Sequence, residues 1–226
     1  MQPTYLPWLG YFELMLSSDV FVYFDDVQFV SKSWQQRNRI KTATGELMLT
    51  VPVLKKGEHE QVINQTLINN QENWRRKHLG SIENSYRKAP YFDHYIDGIR
   101  EIYARDFTKL IDLNVALNEF VRAKVGITTP VKYSSQICPP AERNARIVDI
   151  CHKIGATELY DAAGAEAILD LDYYKKNNVK MIFQHYNHPI YKQQFGEFLP
   201  YMSAIDLLFN EGEKAKEIII SGGIND

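Results

Sequence analysis

Cysteine is scarce in this chain. Cys138 and Cys151 are the two found in 226 residues, too few for a disulfide framework and without the paired spacing of a zinc site or a dithiol redox motif. That scarcity fits a reducing compartment, so a cytoplasmic location is expected. An excess of one charge sign is also lacking: 26 Lys+Arg stand against 28 Asp+Glu. Without an overall basic field, nucleic acid is not an expected partner. No apolar run approaches the ~20 residues that cross a bilayer, and no basic segment followed by an apolar one opens the chain, so neither a membrane span nor an export leader is expected. Glycine never gathers into a phosphate-loop fingerprint, Ala163-Gly164-Ala165 being the nearest approach. No Gly-x-Ser-x-Gly elbow surrounds Ser134 and Ser135. No His or acidic residues stand at metal-ligand spacing, and no metal is expected. There is also no internal repeat.

What is there is long enough to bury a core, and we read residues 1–226 as a single α/β domain. The densest chemistry lies in Asp25-Asp26-Val-Gln-Phe-Val-Ser-Lys-Ser-Trp34-Gln-Gln36-Arg37-Asn38-Arg39. It follows Val20–Phe24, an apolar, β-branched and aromatic run that predicts a buried strand. The acidic pair therefore falls at a strand's C-terminal end, where open α/β sheets bind ligands. Leu9–Ser17 predicts a short helix behind a loop shaped by Pro3 and Pro7. Arg39–Lys41 and Leu47–Val53 flank Thr44-Gly45 as a β-hairpin, and Lys55–Glu58 reads as a surface loop. Residues 72–125 turn helical, near 74–85, 92–105 and 108–124, and read as a helical insertion. Beyond them, apolar runs at 131–135, 158–160 and 179–184 alternate with helical ones. That order predicts a Rossmann-like parallel sheet covered by helices.

The candidate site residues come from three segments. In the first loop, Gln2, Tyr5, Trp8 and Tyr11 surround Gly10 at a junction whose free N–H groups could hold an anion. Asp25 and Asp26 could serve as general base, hold a metal, or bind a hydroxylated or aminated ligand. Arg37 and Arg39 offer planar forks for phosphate or carboxylate, Trp34 a stacking face, and Gln36 and Asn38 amide groups, a kit suited to a nucleotide-linked substrate. An exposed arginine pair tied to Asp25 or Asp26 is the plain structural alternative. In the third segment, His185 and His188 titrate near neutrality and either could move a proton, while Tyr191 and Gln194 could orient a ligand.

Gln2-Pro-Thr-Tyr-Leu-Pro-Trp-Leu-Gly-Tyr-Phe12, Asp25-Asp-Val-Gln-Phe29, Trp34-Gln-Gln-Arg-Asn-Arg-Ile40, Ile154-Gly-Ala-Thr-Glu-Leu-Tyr160, His188-Pro-Ile-Tyr191 and Ser203-Ala-Ile-Asp-Leu-Leu-Phe-Asn210 occur in this order across nearly the whole chain. With them the sequence closely resembles the WbqC-like family. Members resembling it occur among bacterial genes for O-antigen and other surface polysaccharides. The resemblance therefore implies work on a nucleotide-linked or carrier-linked amino sugar: transfer of an acyl or aminoacyl group, with Asp25, Asp26 or His188 as base and Asn38 or Gln36 as oxyanion donor. It implies no cofactor beyond such a donor, and a carrier or partner protein besides the small molecule. An ATP-dependent nucleotidyltransferase or ligase, and a non-catalytic nucleotide-sugar-binding protein, are the alternatives. The element order also looks like adenylate-forming nucleotidyltransferases of the pantothenate-synthetase type, whose His-x-Gly-His positions read Trp8-Leu9-Gly10-Tyr11 here. Two departures stand out. Family members place an apolar strand before Gln-Pro, whereas Gln2 follows Met1 directly, so a first strand is expected to be missing or the start to be internal. Ala162-Ala163-Gly164 stands where relatives tend to carry Ser-Gly-Pro.

Overall fold

The computed structural model describes residues 1–54 and 61–223. The Lys55–Glu58 loop lies outside the described residues, as does the end of the tail. The chain opens with the Gln2–Trp8 loop and helix α1 (Leu9–Leu16), then strand β1 (Phe21–Tyr23). The hairpin is β2 (Arg37–Thr42) and β3 (Gly45–Thr50), antiparallel from Arg37↔Thr50 to Thr42↔Gly45. Gly45 makes the turn with φ 108°, a conformation that a side chain would strain.

Three helices follow, α2 (Trp74–Tyr86), α3 (Phe92–Ala104) and α4 (Leu110–Val125). Their apolar spacing explains their packing: in α3, Phe92, Tyr95, Ile96, Ile99, Ile102 and Tyr103 recur at helical intervals and are all buried. Gly126, at φ 77°, ends α4 in the left-handed conformation that favours glycine. Strand β4 (Val131–Tyr133) runs directly into the one-turn helix α5 (Ser134–Ile137), so the expected strand ends before Ser134. Helix α6 (Arg143–Ile154), capped by the Glu142 carboxylate, leads to β5 (Glu158–Ala162), a 3-10 segment over Ala163–Ile168, α7 (Leu171–Lys176) and β6 (Lys180–Gln184). An irregular stretch over residues 185–203 precedes α8 (Ala204–Glu211) and α9 (Ala215–Ser221).

The protein is α/β, with parallel strands, a hairpin and covering helices, but the single Rossmann-like sheet is not formed among the described residues. β1 pairs in parallel with β4 and β5 in parallel with β6, as two separate ladders. Beside β1, Met1 extends the backbone pairing: its amino group donates to Val22 O and its carbonyl accepts from Phe24 N–H. The main core joins α1, β1, the hairpin, α2–α4 and α8. A second, smaller cluster of Val148, Cys151, Tyr174 and Val179 lies between α6, α7 and the β5–β6 pair.

Candidate functional site

The acidic pair is held from within the protein. β1 ends at Tyr23, which frees both following carboxylates to face the start of α5. Asp25 Oδ1 accepts from Ser135 N–H at 3.0 Å and Ser134 Oγ at 3.0 Å, and its Oδ2 accepts from Ser135 Oγ at 2.7 Å and Asn64 Nδ2 at 3.2 Å. Burial pushes the Asp25 carboxyl up, but these donors outweigh it and hold the group below the usual carboxylate range. Asp26 shares the one Ser134 Oγ proton with Asp25, at 2.6 Å, and pairs with the Arg146 guanidinium at 2.6 Å, both side chains of the ion pair being nearly buried. Arg146 also donates to Cys138 O and lies over the Phe24 ring. Asp26 is thus tied to Arg146, and the alternative of an Arg37–Arg39 pair tied to Asp25 or Asp26 is not realised among the described residues.

The first loop is also largely internal. Tyr5 is fully buried, its hydroxyl bonded to His78 Nδ1 at 2.8 Å and to the Tyr103 hydroxyl. Tyr11 donates to Gln2 O at 2.9 Å, and Gln2 Oε1 accepts from Gln35 Nε2 at 2.7 Å. Asn114 Nδ2, buried on α4, donates to Pro3 O and Gln35 O. Gln36 donates to Val51 O and accepts from Lys32 N–H, and Asn38 Oδ1 takes the Arg39 N–H. These side chains shape the segment that presents their neighbours.

Those neighbours converge. Tyr5 N–H donates to Trp34 O, Ser203 N–H to Arg39 O and Ala204 N–H to Pro7 O, while Trp8 bridges to Ser203. This places Trp8, Trp34, Arg39 and the residues before α8 on one surface. Trp34 is 48 % exposed, with the Arg39 guanidinium 5.4 Å from its ring. Arg39 pairs with Glu46 at 2.9 Å. Arg37 makes no hydrogen bond or ion pair among the described residues, and its Nε is buried without a partner. A half-buried guanidinium in that state is a ready anion receptor.

His188 lies beside this surface inside an aromatic enclosure. It stacks on Trp8 and Tyr191, each at 6.3 Å, and Phe198 and Tyr201 stand 5.4 Å away. Its Nδ1 lies 3.0 Å from Pro189 O. A carbonyl only accepts, so Nδ1 carries the proton and Nε2 keeps a lone pair, which is buried and unpartnered. Burial pushes the imidazole pKa down, the Pro189 contact opposing it, so the ring is neutral near pH 7. Trp8 folds over Gly10, where a Cβ would lie 2.3 Å from the indole. The backbone around the surface is strained: Leu6, Lys32, Phe195 and Tyr201 all have positive φ. His185 is exposed, and Gln194 bonds Asn210 at 3.2 Å.

Two residues central to this region were not singled out from sequence. Asp206, fully buried on α8, accepts from Tyr86, Tyr191 and Gln193 at 2.9, 2.8 and 2.9 Å. Burial raises its pKa against those donors. Lys41, 2 % exposed, donates from Nζ to Glu197 O. An acid inside the apolar run Ala204–Phe209 and a cation two residues beyond Arg39 were the available signals. A groove of ≈ 910 Å³ lies elsewhere, over α3 and α4 with Ile102, Phe107, Val115, Phe120 and Tyr133 among its walls. It contains none of the expected site residues. Among the described residues, no group of three or more His, Cys, Asp and Glu side chains gathers as a metal site, and no helix is long and apolar enough to cross a membrane.

Fold and surface together define an α/β protein with an aromatic, guanidinium-bearing face where three chain segments meet. By comparison with known families, the chain belongs to the WbqC-like protein family, whose model matches residues 2–218. It is similar to the Mycobacterium tuberculosis (strain ATCC 25618 / H37Rv) protein Rv1507c, itself described as uncharacterized, with 33% identity over 221 residues, covering 97% of this chain and 95% of that protein. No solved structure matches.

Proposed function

We propose that this protein is a cytoplasmic enzyme of bacterial surface-polysaccharide (O-antigen) biosynthesis that transfers an acyl or aminoacyl group to the amine of a nucleotide-linked amino sugar. The observation that carries the reading is the Arg37 guanidinium, without a partner among the described residues, on the strand whose Arg39 lies over the exposed Trp34 ring, next to the surface that holds Trp8 and borders His188. The nucleobase stacks on the open face of Trp34, and a phosphate sits on Arg37 and Arg39. His188 Nε2 removes a proton from the sugar ammonium. The free amine then attacks the donor's acyl carbon, an amide bond forms, and the donor's carrier leaves. Asp25 and Asp26 hold the β1 and β4 ends in place through Ser134, Ser135 and Arg146, a positioning part in this reading.

Calorimetric titration with a panel of nucleotide-linked amino sugars, with ATP and magnesium as a control, tests the assignment. Arg37→Ala weakens binding of the cognate compound by about 10- to 100-fold, the range of a charge-assisted hydrogen bond. Affinity untouched by both Arg37→Ala and Trp34→Ala overturns the surface as the binding site, and binding of ATP alone transfers the reading to adenylyl chemistry. In the acyl-transfer assay, kcat/KM falls on the acid side with an apparent pKa below 6.5, and that limb disappears in His188→Gln.

A second reading, a nucleotide-sugar-binding protein without turnover, is favoured by the fully engaged carboxylates of Asp25 and Asp26 and the covered Nε2 of His188. Tight binding with no product in the presence of every acyl donor would select it.

A further inference from the structure

Side chains alternate along a strand, so Arg37, Arg39 and Lys41 share one face of β2, with successive members about 6.5–7 Å apart. The pairing Lys41↔Glu46 and the Arg39–Glu46 ion pair agree with that placement. The first two cations are partly open, yet the third is covered. Its cover is the stretch from Gln193 to Tyr201. Gln193 closes residues 193–199 into a ring, its Oε1 accepting from Leu199 N–H at 2.8 Å and its Nε2 donating to Leu199 O at 3.0 Å and Asp206 Oδ2 at 2.9 Å. At the tip, where Phe195 and Gly196 take positive φ of 60° and 75°, Glu197 O receives the Lys41 ammonium. The next residue, Phe198, packs on both His188 and Tyr191. The base of the ring is therefore closed by two hydrogen bonds between the buried Gln193 amide and Leu199 and pinned by a third to buried Asp206, and the tip is held by one ammonium on one carbonyl.

An ammonium carries three donors, and here one neutral carbonyl oxygen is its partner among the described residues. A phosphate oxygen is the stronger acceptor for that cation. We propose that residues 193–201 form a strap over His188 latched by Lys41, and that a phosphate group of the ligand displaces Glu197 O from Lys41. The displaced tip carries Phe198 away and uncovers the imidazole. Lys41 thereby becomes the third cation of a row fitted to a diphosphate, and occupancy of the row is coupled to access to His188. This rests on the reading of that surface as a nucleotide-sugar site, but its test does not depend on turnover.

The test is the rate at which diethyl pyrocarbonate modifies each histidine, resolved by peptide mass spectrometry. His185, exposed in the same stretch, sets the unhindered rate, and buried His78 reports any loss of fold. In the native protein His188 reacts at least ten-fold more slowly than His185, and inorganic pyrophosphate accelerates it. In Lys41→Met it reacts nearly as fast as His185 with or without pyrophosphate, while His78 stays protected; Phe198→Ala behaves likewise. A native His188 as reactive as His185, or one still protected in Lys41→Met, overturns the strap. A His188 released by Lys41→Met but indifferent to pyrophosphate overturns the displacement by phosphate. Acyl transfer failing while these rates hold would indict the catalytic reading alone.

Discussion

Buried polar residues in this protein are set by their partners, and His78 shows the consequence most simply. Its ring sits among Tyr5, Trp74 and Tyr103, and burial lowers its pKa from 6.5 to about 4. The unfolded chain binds a proton below pH 6.5 and the folded one only below about 4. The contribution to stability is therefore complete above pH 6.5 and is lost as pH falls towards 4, amounting to about 3 kcal/mol at most. Urea midpoints at pH 7.5 and 4.5 should separate for the native protein and draw together in His78→Gln; equal separation in both would remove His78 from the account. Asp25 works in another window. Its depressed carboxyl stabilises the fold above the ordinary carboxylate pKa, and that contribution is lost only at lower pH, as the carboxyl becomes protonated. The polar density of Asp25–Arg39 was legible in the sequence. Which of its side chains face inward was not, because both carboxylates find their partners on segments far away in the chain, at Ser134, Ser135 and Arg146.

At the scale of elements, the junctions carry the energetics. β1, β4, α5 and α6 meet at the Asp26–Arg146 pair, whose side chains are 11% and 3% exposed. Removing one partner strands the other, so Arg146→Ala should cost about 3–5 kcal/mol in urea unfolding, and adding Asp26→Asn should restore part of it. A loss below about 1 kcal/mol would show that the pair is solvated in solution. At the start of α1, Gly10→Ala drives a Cβ into the Trp8 indole. The helix itself tolerates alanine, so the expected result is a displaced Trp8, read as a shift in tryptophan fluorescence, with weakened ligand binding and little loss of helicity. Unchanged fluorescence and binding would show that Trp8 has room to move. Helices α1–α4 and α6 and the hairpin follow directly from apolar spacing, proline and glycine. The ends are where that reasoning slips: α5 begins at Ser134, where Asp25 accepts the Ser135 N–H and both serine hydroxyls across the sheet, a partner that local pattern does not contain.

For the molecule as a whole, two cores of unequal size imply unequal local stability. The cluster of Val148, Cys151, Tyr174 and Val179 is small, and the β5–β6 ladder makes no strand pairing with β1–β4 among the described residues. Amides of α7, β5 and β6 should exchange faster than those of α3 and α4, reflecting opening of this unit before the main core. Burial raises the Cys151 thiol to about 11, so its labelling by a thiol reagent should report the same opening. Uniform exchange protection across both regions would argue for a single cooperative unit.

Sequence by itself determined the family, the α/β class and the hairpin, because apolar periodicity and long motifs are local and survive without coordinates. Tertiary structure alone decided that the parallel strands stand as two ladders, that Asp25 and Asp26 are held by Ser134, Ser135 and Arg146, and that Lys41 and Asp206 lie beneath the residues beside His188. Each of those outcomes depends on desolvation and on hydrogen bonds between residues far apart in the chain, and such energies exist only once the chain has closed on itself.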